Sequence, residues 1–336
     1  MPEIRQNIIS RQWVIIATDR ARRPHEFKQE QSVRVELPSY VPTCPFCPKN
    51  EKLTPLETYR IPAGEPMSPN WRVRAVPNKF AALAAEGELV RMNVGLKRTI
   101  SGVGQHEVIV ESPDHSATLA QMDDAEVEQV VGVYLQRAQS VLEDSRVEHV
   151  TLFKNHGPAA GTSLEHPHAQ LIGTPLIPHE VRDRLETALG FYDDTGRCIF
   201  CTTLEEEREE IIRIVEENEH FAAFVPFAAL SPFHLWIYPK RHCASFLSLV
   251  EEEVPSLARL LRRTLRRLYD GLGDPDFNFV VRTTPKESEQ VRYYHWYLSI
   301  VPRLTRTAGF ELGSGMFINT ASPEESAQFL RGVEVA

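Results

Sequence analysis

The stretch Gly161-Thr-Ser-Leu-Glu-His-Pro-His-Ala-Gln170 carries two histidines that are separated by a single proline. Alternate residues of an extended strand point to the same face of a sheet. Pro167 fixes its own φ angle and disfavours helix at the residue before it, which stiffens the spacing of the two rings. We therefore expect His166, His168 and Gln170 to line one face of one strand.

The composition is that of a soluble globular chain. The 336 residues are 42% hydrophobic and 25% charged, with a formal net charge of −9. This length suggests about two domains, and the negative charge argues against a nucleic-acid partner. No apolar run reaches the ~18–20 residues of a membrane helix, and the N-terminus lacks a signal-peptide pattern. We expect a cytoplasmic protein with no membrane partner, and we interpret the acidic run 205–210 as a solvated face.

Two halves of the chain repeat one order of features. Each half has a C-x-x-C pair, a strand that ends at a histidine, a long helix, and a strand that bears a second histidine. From the first to the second histidine there are 51 residues in one half (115 to 166) and 53 in the other (242 to 295). We therefore predict two repeats, at residues 1–177 and 178–336, and only the first contains His168.

Each repeat offers two cysteines and two histidines. In a reducing compartment, C-x-x-C pairs bind metal or act in redox chemistry more often than they form structural disulfides. A closed set of four nitrogen and sulfur ligands is typical of structural zinc. We expect two zinc sites, Cys44, Cys47, His115 and His166 as site 1 and Cys198, Cys201, His242 and His295 as site 2. The alternative is that these are unrelated core cysteines and histidines.

The repeats differ at the position that matters for chemistry. His166-Pro-His168-Ala-Gln170 aligns with His295-Trp-Tyr297-Leu-Ser299, so the first histidine is kept and the second becomes a tyrosine. A neutral imidazole is a good nucleophile towards phosphorus. We interpret His166 as a zinc ligand and His168 as a nucleophile that forms a covalent nucleotidyl intermediate, with ping-pong kinetics. Two metal or surface histidines without a covalent role are the alternative.

Nucleotidyl transfer also requires groups that neutralise phosphate oxygens. Arg20 and Arg23 lie in the basic loop 18–24 and are candidates, because arginine offers a planar fork to phosphate. A solvated arm is the alternative interpretation of that loop. The sequence alone leaves both open.

The nucleophile's own stretch supplies further hydrogen-bond donors. The backbone N–H groups of Gly161, Thr162 and Ser163 are candidates for binding phosphate. We expect Gln170 to donate a hydrogen bond to a non-bridging phosphate oxygen and the Ser163 hydroxyl to donate one to the leaving phosphate. The predicted catalytic residues are therefore His168, Gln170 and Ser163.

Over nearly its whole length the chain carries the motifs of a known family. They are Trp13 with Arg20-Ala-Arg-Arg-Pro24, Cys44-Pro-Phe-Cys47, Asn78-Lys-Phe-Ala81, Ser112-Pro-Asp-His115 and the 161–170 stretch. On these motifs the chain resembles the galactose-1-phosphate uridylyltransferases, the transferase branch of the histidine triad superfamily. The resemblance implies an α+β fold of two fused histidine-triad-like repeats, each an antiparallel β-sheet with packed helices, commonly assembled as a homodimer.

The resemblance also implies roles for individual residues. It makes His168 the carrier of the nucleotidyl group and the four residues of site 1 the zinc ligands. It places Arg20, Arg23, Asn78, Asn155 and Gln170 against the nucleotide or its phosphates. Glu311, with Phe310 beside it, falls where the family binds sugar hydroxyls.

Two features depart from the best-known uridylyltransferases. Site 2 contains two cysteines where those enzymes use histidines and a glutamate, and the segment Gly309–Asn319 looks more like the plant-type ADP-glucose phosphorylases. We expect transfer of UMP between a UDP-hexose and a hexose 1-phosphate, with adenylyl transfer by the same histidine as the alternative. A non-catalytic zinc-binding protein and a nucleotide hydrolase are further alternatives. Gln170 argues against the hydrolase, which usually carries another histidine there.

Overall fold

A computed structural model describes residues 1–17, 37–62 and 64–335 of the chain. Within these ranges the strands are β1 Glu3–Gln6, β2 Trp13–Ile16, β3 Tyr59–Ile61, β4 Val73–Pro77, β5 Arg91–Val94, β6 Lys97–Ile100, β7 Gln105–Val110, β8 His149–His156, β9 His168–Thr174, β10 Ile214–Glu217, β11 Phe221–Phe224, β12 Leu235–Pro239, β13 Phe277–Arg282, β14 Tyr297–Pro302 and β15 Phe317–Asn319. The α-helices are α1 Asp124–Leu142, α2 His179–Thr195, α3 Ile199–Glu210, α4 Val254–Leu272, α5 Gly309–Ser314 and α6 Pro323–Gly332.

Ten strands form one continuous antiparallel sheet. Their order is β10-β11-β12-β14-β13-β8-β9-β7-β4-β3, so β13 and β8 pair at the centre and join the two halves. Outward from that central pair, each half contributes five strands in the same spatial order. The α+β fold of two histidine-triad-like repeats expected from the sequence is confirmed, while the boundary at residues 177 and 178 stays a prediction.

A smaller sheet ties the two ends of the chain together. The hairpin of β1 and β2 pairs in parallel with β15, and Val14 lies opposite Phe317. Val14 is buried in a small apolar cluster with Ile16 and Ala228. The first strands of the chain therefore complete their hydrogen bonding on a strand near its other end.

Two long helices pack on one face of the large sheet and against each other. The α1 helix begins with a capping box, in which Asp123 accepts from the Glu126 N–H and the Glu126 carboxylate accepts from the Asp123 N–H. The α4 helix buries leucines at helical spacing against the sheet, including Leu257, Leu261 and Leu268. None of the helices in the described ranges combines the length and apolar character that crossing a bilayer requires.

Side chains alternate between the two faces of the sheet along β9, and the face opposite the helices carries the candidate site residues. In β9, Ala169 and Leu171 join the helix-side core, so His168 and Gln170 point to the other face. His166 was expected on the same strand, but the strand begins at His168. Pro167 lacks a backbone N–H for the ladder, and its carbonyl accepts from the Glu111 N–H at 3.1 Å.

The acidic run lies on α3, and most of its side chains are exposed as expected. Glu207 is the exception, because it is 3% exposed and paired with Arg213 at 2.9 Å. Burial raises the pKa of Glu207 to about 7, although the attraction of the Arg213 guanidinium opposes this. One position of a charge run is therefore part of the interior.

Candidate active site and metal centres

Site 1 forms where two loops meet the strands β7 and β9. His115 follows β7 and His166 precedes β9, so the antiparallel pairing of these strands brings the two rings together. Their Nδ1 atoms lie 3.2 Å apart. The Cys47 Sγ atom lies 3.5 Å from His115 Nδ1 and 3.6 Å from His166 Nδ1. With Cys44, all four side chains are buried.

These distances fit one tetrahedral metal ion. Bonds of about 2.05 Å to nitrogen and 2.3 Å to sulfur place two nitrogens roughly 3.3 Å apart and nitrogen and sulfur roughly 3.6 Å apart. The ligand atoms of the four residues all lie within 4.8 Å of one another. His166 Nε2 donates to the Ser112 carbonyl at 2.8 Å, which leaves the Nδ1 lone pair facing the other ligands. The group could hold a metal ion, and its nitrogen and sulfur donors suit zinc.

Site 2 repeats this geometry in the second half. Cys201 Sγ lies 3.3 Å from His242 Nδ1 and 3.4 Å from His295 Nδ1, and Cys198 completes a group whose ligand atoms lie within 4.8 Å. His295 Nε2 donates to the Pro239 carbonyl at 2.8 Å, as His166 does to Ser112. Both carbonyls precede the other histidine of their set by three residues. Site 2 differs in being more open, because His242 is exposed and Cys201 is half-buried.

Burial keeps the inner histidines of both groups neutral. It lowers the pKa of His166 to about 4 and the pKa of His295 to about 3. Hydrogen bonds from Cys201 and His242 lower the pKa of Cys198 to about 5, although burial opposes this. Neutral imidazoles and a thiolate are the protonation states that bind a divalent metal.

His168 is fixed in one tautomer by its neighbour. Its Nδ1 atom lies 2.8 Å from the His166 carbonyl oxygen, which can only accept, so Nδ1 carries the proton. The Nε2 lone pair is therefore available for attack. Burial lowers the pKa of His168 below its usual value, which keeps the ring neutral. Phe46 lies between Cys44 and Cys47 in the sequence. Its ring contacts the His168 ring, with centroids 5.4 Å apart, and so connects it to site 1.

A buried ion pair contacts His168 from the helix side of the sheet. Lys154 Nζ donates to Glu111 Oε2 at 2.5 Å and to the His168 carbonyl at 3.1 Å. The Tyr134 hydroxyl donates to the other Glu111 oxygen. Burial, together with the charge of Glu111, raises the pKa of Tyr134 well above its usual range. The network holds the first residue of β9 to β8, β7 and α1.

Gln170 lies in a cluster with Asn78 and with a histidine that the sequence interpretation did not include. His106 Nε2 lies 2.9 Å from Gln170 Oε1, and Asn78 Nδ2 donates to the same oxygen at 3.4 Å. All three side chains are half-buried. Two predicted phosphate contacts are thus brought together, two residues along the strand from His168.

Asn155 lies on β8 beside the glycine loop that leads to His168. Its Oδ1 atom accepts from Asn278 Nδ2 at 2.7 Å, and Asn278 also donates to the Ala160 carbonyl at 2.9 Å. Gly157 and Gly161, with φ angles of +83° and +86°, allow the loop to turn sharply at both ends. The second repeat therefore holds the loop of the first through β13.

Comparison with known proteins identifies the family. A sequence model described as galactose-1-phosphate uridyl transferase, N-terminal domain, matches residues 1–178, which is more than half of the chain. The chain belongs to the galactose-1-phosphate uridyl transferase family. It is 34% identical to ADP-glucose phosphorylase of Arabidopsis thaliana, over 99% of this chain and 93% of that protein. It is 29% identical to galactose-1-phosphate uridylyltransferase of Thermotoga maritima, over 100% and 99%.

Solved structures of relatives share the whole fold of this family member. The crystal structure of an ADP-glucose phosphorylase from Arabidopsis thaliana with bound ADP-glucose has a TM-score of 0.85 at 31% identity and full coverage of both chains. A structure of uridylyltransferase has a TM-score of 0.75 at 25% identity and covers 98% and 97%. As a member of the galactose-1-phosphate uridyl transferase family, the chain is an enzyme, a nucleotidyltransferase of the uridylyltransferase type.

The remaining predicted site residues of this uridyl transferase family member differ in how the structure places them. The backbone N–H groups of Gly161 and Thr162 donate to the Pro158 and Gly157 carbonyls at 3.0 and 3.4 Å, so the loop already uses these candidate phosphate donors. Ser163 is exposed. Arg20 and Arg23 lie outside the described residues.

The predicted sugar contacts lie on the short helix α5. Phe310 is 46% exposed, and Glu311 accepts a hydrogen bond from the Ala308 N–H at 2.9 Å as a cap of its own helix. The α5 helix packs on β15 of the small sheet. Their contact with a sugar stays a prediction.

Proposed function

We propose that His168 accepts a nucleoside monophosphate from a nucleotide-sugar and passes it to a phosphate acceptor. The hydrogen bond from His168 Nδ1 to the His166 carbonyl carries this proposal, because it places the proton of the neutral ring on Nδ1 and leaves Nε2 unprotonated. The low pKa of the buried ring supports it, since an imidazolium has no lone pair to donate.

The reaction consists of two displacements at the α-phosphorus. The Nε2 lone pair of His168 forms a bond to phosphorus, the bond from phosphorus to the bridging oxygen breaks, and hexose 1-phosphate leaves with that electron pair. A phosphate oxygen of the acceptor then attacks, and the nitrogen–phosphorus bond breaks and restores the neutral ring. The His168 ring needs no proton transfer in either step, so Nδ1 keeps its proton throughout.

The surrounding residues supply donors for the phosphate oxygens. In this proposal Gln170, Asn78 and Asn155 donate through their amides, and Arg20 and Arg23 neutralise charge. Ser163 contacts the leaving phosphate. Glu311 and Phe310 bind the sugar. The enzyme is cytoplasmic and assembles as a homodimer.

Zinc is proposed for both Cys2His2 groups. Cys44, Cys47, His115 and His166 would hold one ion, and Cys198, Cys201, His242 and His295 would hold the other. Four protein ligands close the tetrahedron, so each ion would supply rigidity rather than an activated water. At site 1 that rigidity reaches the nucleophile, because His166 provides the carbonyl that fixes the His168 tautomer.

Two donors are candidates, each favoured by a different observation. A UDP-hexose with galactose 1-phosphate as acceptor is the proposed pair, because several relatives across the whole chain are galactose-1-phosphate uridylyltransferases. An ADP-sugar with inorganic phosphate is the second candidate, because the relative at 34% identity and the structure at a TM-score of 0.85 are ADP-glucose phosphorylases.

The experiment is to incubate the enzyme with UDP-glucose or ADP-glucose labelled at the α-phosphate, without an acceptor. We expect acid-labile label on the protein, and the donor that labels faster identifies the base. His168→Gly should take up no label and keep its zinc, whereas Tyr297→Phe at the equivalent position should label like the wild type. An unlabelled wild-type protein with both donors would refute covalent catalysis, and loss of zinc in His168→Gly would refute the division of roles between the histidines.

A further inference from the structure

His106 contacts Gln170 because of how their strands pair. In the register of β7 and β9, Val108 lies opposite Gln170, so His106 is the diagonal neighbour on the same face of the sheet. The His106 Nε2 atom lies 2.9 Å from Gln170 Oε1. The ring is therefore close enough to determine how the Gln170 amide is turned.

The proton on His106 can be assigned from a backbone group. The Ala82 N–H donates to His106 Nδ1 at 3.1 Å, so Nδ1 holds a lone pair and the neutral ring carries its proton on Nε2. Asn78 is fixed as well, because its Oδ1 accepts from the Phe80 N–H at 2.9 Å and its NH2 group must donate. Asn78 Nδ2 and His106 Nε2, 3.1 Å apart, are thus two donors that share Gln170 Oε1 as acceptor.

We propose that His106 is a positioning residue that directs the NH2 group of Gln170 towards the phosphate on His168. This inference rests on the proposed function, in which Gln170 donates to a phosphate oxygen. The two ends of a primary amide have almost the same shape, so the orientation of Gln170 depends on its hydrogen bonds, and His106 supplies the shorter of the two to its oxygen, 2.9 Å against 3.4 Å from Asn78. In the flipped orientation the amide oxygen would face an anionic phosphate oxygen and repel it.

The second repeat contains the equivalent histidine without an amide to direct. Trp236 lies opposite Ser299 in β12 and β14, and His234 lies two residues before Trp236, as His106 lies two before Val108. His234 Nε2 is 2.9 Å from the Ser299 hydroxyl. This pair is buried, with exposures of 2% and 5%. The fold thus places a histidine here in both halves, but only the first half pairs it with a group whose two ends differ.

Two substitutions at His106 separate the roles of its two ring nitrogens. In His106→Asn the side-chain oxygen replaces Nδ1 and keeps the Ala82 contact, but the shorter side chain does not reach Gln170, whose oxygen keeps only the longer 3.4 Å contact from Asn78. In His106→Gln the amide nitrogen replaces Nε2 and can still donate to Gln170 Oε1. The measurement is the single-turnover rate of labelling of His168 at saturating donor, with zinc content and melting temperature as structural readouts.

We expect His106→Asn to slow labelling about tenfold, the effect of losing one hydrogen bond in the transition state. His106→Gln should stay within about threefold of the wild type. Gln170→Ala should slow labelling, and adding His106→Asn to it should have no further effect, because His106 acts through Gln170.

The outcomes distinguish this inference from the proposed function. The inference is overturned if the wild type and His106→Asn label at equal rates, or if the effects of His106→Asn and Gln170→Ala are additive. In either case labelling of the wild type would still uphold covalent catalysis. A wild-type protein that takes up no label would overturn both. If His106→Asn and His106→Gln lose zinc or melting temperature equally and label equally slowly, His106 has only a structural role and the inference is wrong.

Discussion

Removing the ammonium of Lys154 should be among the most damaging single changes to the stability of this fold. The side chains of Lys154 and Glu111 are 3% and 0% exposed, so Lys154→Met leaves a carboxylate in the interior with only the Tyr134 hydroxyl as a partner. Breaking one side of a buried ion pair costs about 3–5 kcal/mol. The lost hydrogen bond to the His168 carbonyl adds about 1 kcal/mol.

The assay is urea unfolding of the wild type and two variants. With an m-value on the order of 3–4 kcal/mol/M for a chain of this size, the Lys154→Met midpoint should fall by roughly 1–2 M. The matched control is Lys154→Met combined with Glu111→Gln, which removes the unpaired charge and keeps an acceptor for Tyr134. We expect the double variant to recover most of the loss, because an ion pair replaced as a unit is often nearly neutral.

The double variant also separates stability from catalysis. It still lacks the 3.1 Å contact between Lys154 and the His168 carbonyl, so labelling of His168 should remain slower than in the wild type after stability has returned. A midpoint shift below about 0.3 M for Lys154→Met, on the order of 1 kcal/mol, would refute the reasoning. So would a double variant that is as unstable as the single one.

Two further predictions concern metal and pH. A chelator should remove metal from site 2 before site 1, because His242 is exposed while all four site 1 residues are buried. A zinc-sensitive dye measures whether the two ions are released in two steps. Loss of His168 labelling on release of the first ion would contradict this order. Arg5 and Ser322 donate to Glu324 and lower its pKa to about 2, although burial opposes this. A carboxylate with a lowered pKa stabilises the fold above its unfolded pKa of about 4.3 and loses that contribution as pH falls towards 2. Glu324→Gln should therefore flatten the dependence of the melting temperature on pH between about 4.3 and 2, and an unchanged profile would contradict the assignment.

Local patterns in the sequence predicted the elements and the grouping of the candidate ligands well. Asp123 and the apolar spacing after it predicted the helix that the structure describes as α1. The equal spacing of histidines in the two halves predicted which cysteines and histidines converge, because a duplicated fold repeats its strand pairing along with its sequence. Metal binding itself stays a prediction.

What the sequence did not reveal depends on pairings between distant strands. His106 has no motif around it, and it becomes a candidate only when the register of β7 and β9 places it diagonal to Gln170. A signal was available in the repeat, since His106 and His234 precede His115 and His242 by nine and eight residues. Glu207 was missed for a related reason, because a run of acidic residues hides the one position that faces inward on a helix.

The pairing of β2 with β15 has a consequence for the order in which the chain is made. Val14 leaves the ribosome 303 positions before its partner Phe317, a delay on the order of 15–60 s at ordinary translation rates. The edge of β8 likewise waits for β13, which lies more than a hundred residues downstream. During synthesis the half that contains His168 therefore exposes two unpaired strand edges, the usual sites of misassembly. The second half supplies the partner strands β13 and β15 for both edges once it has been synthesised, so the first half depends on it to complete its strand pairing.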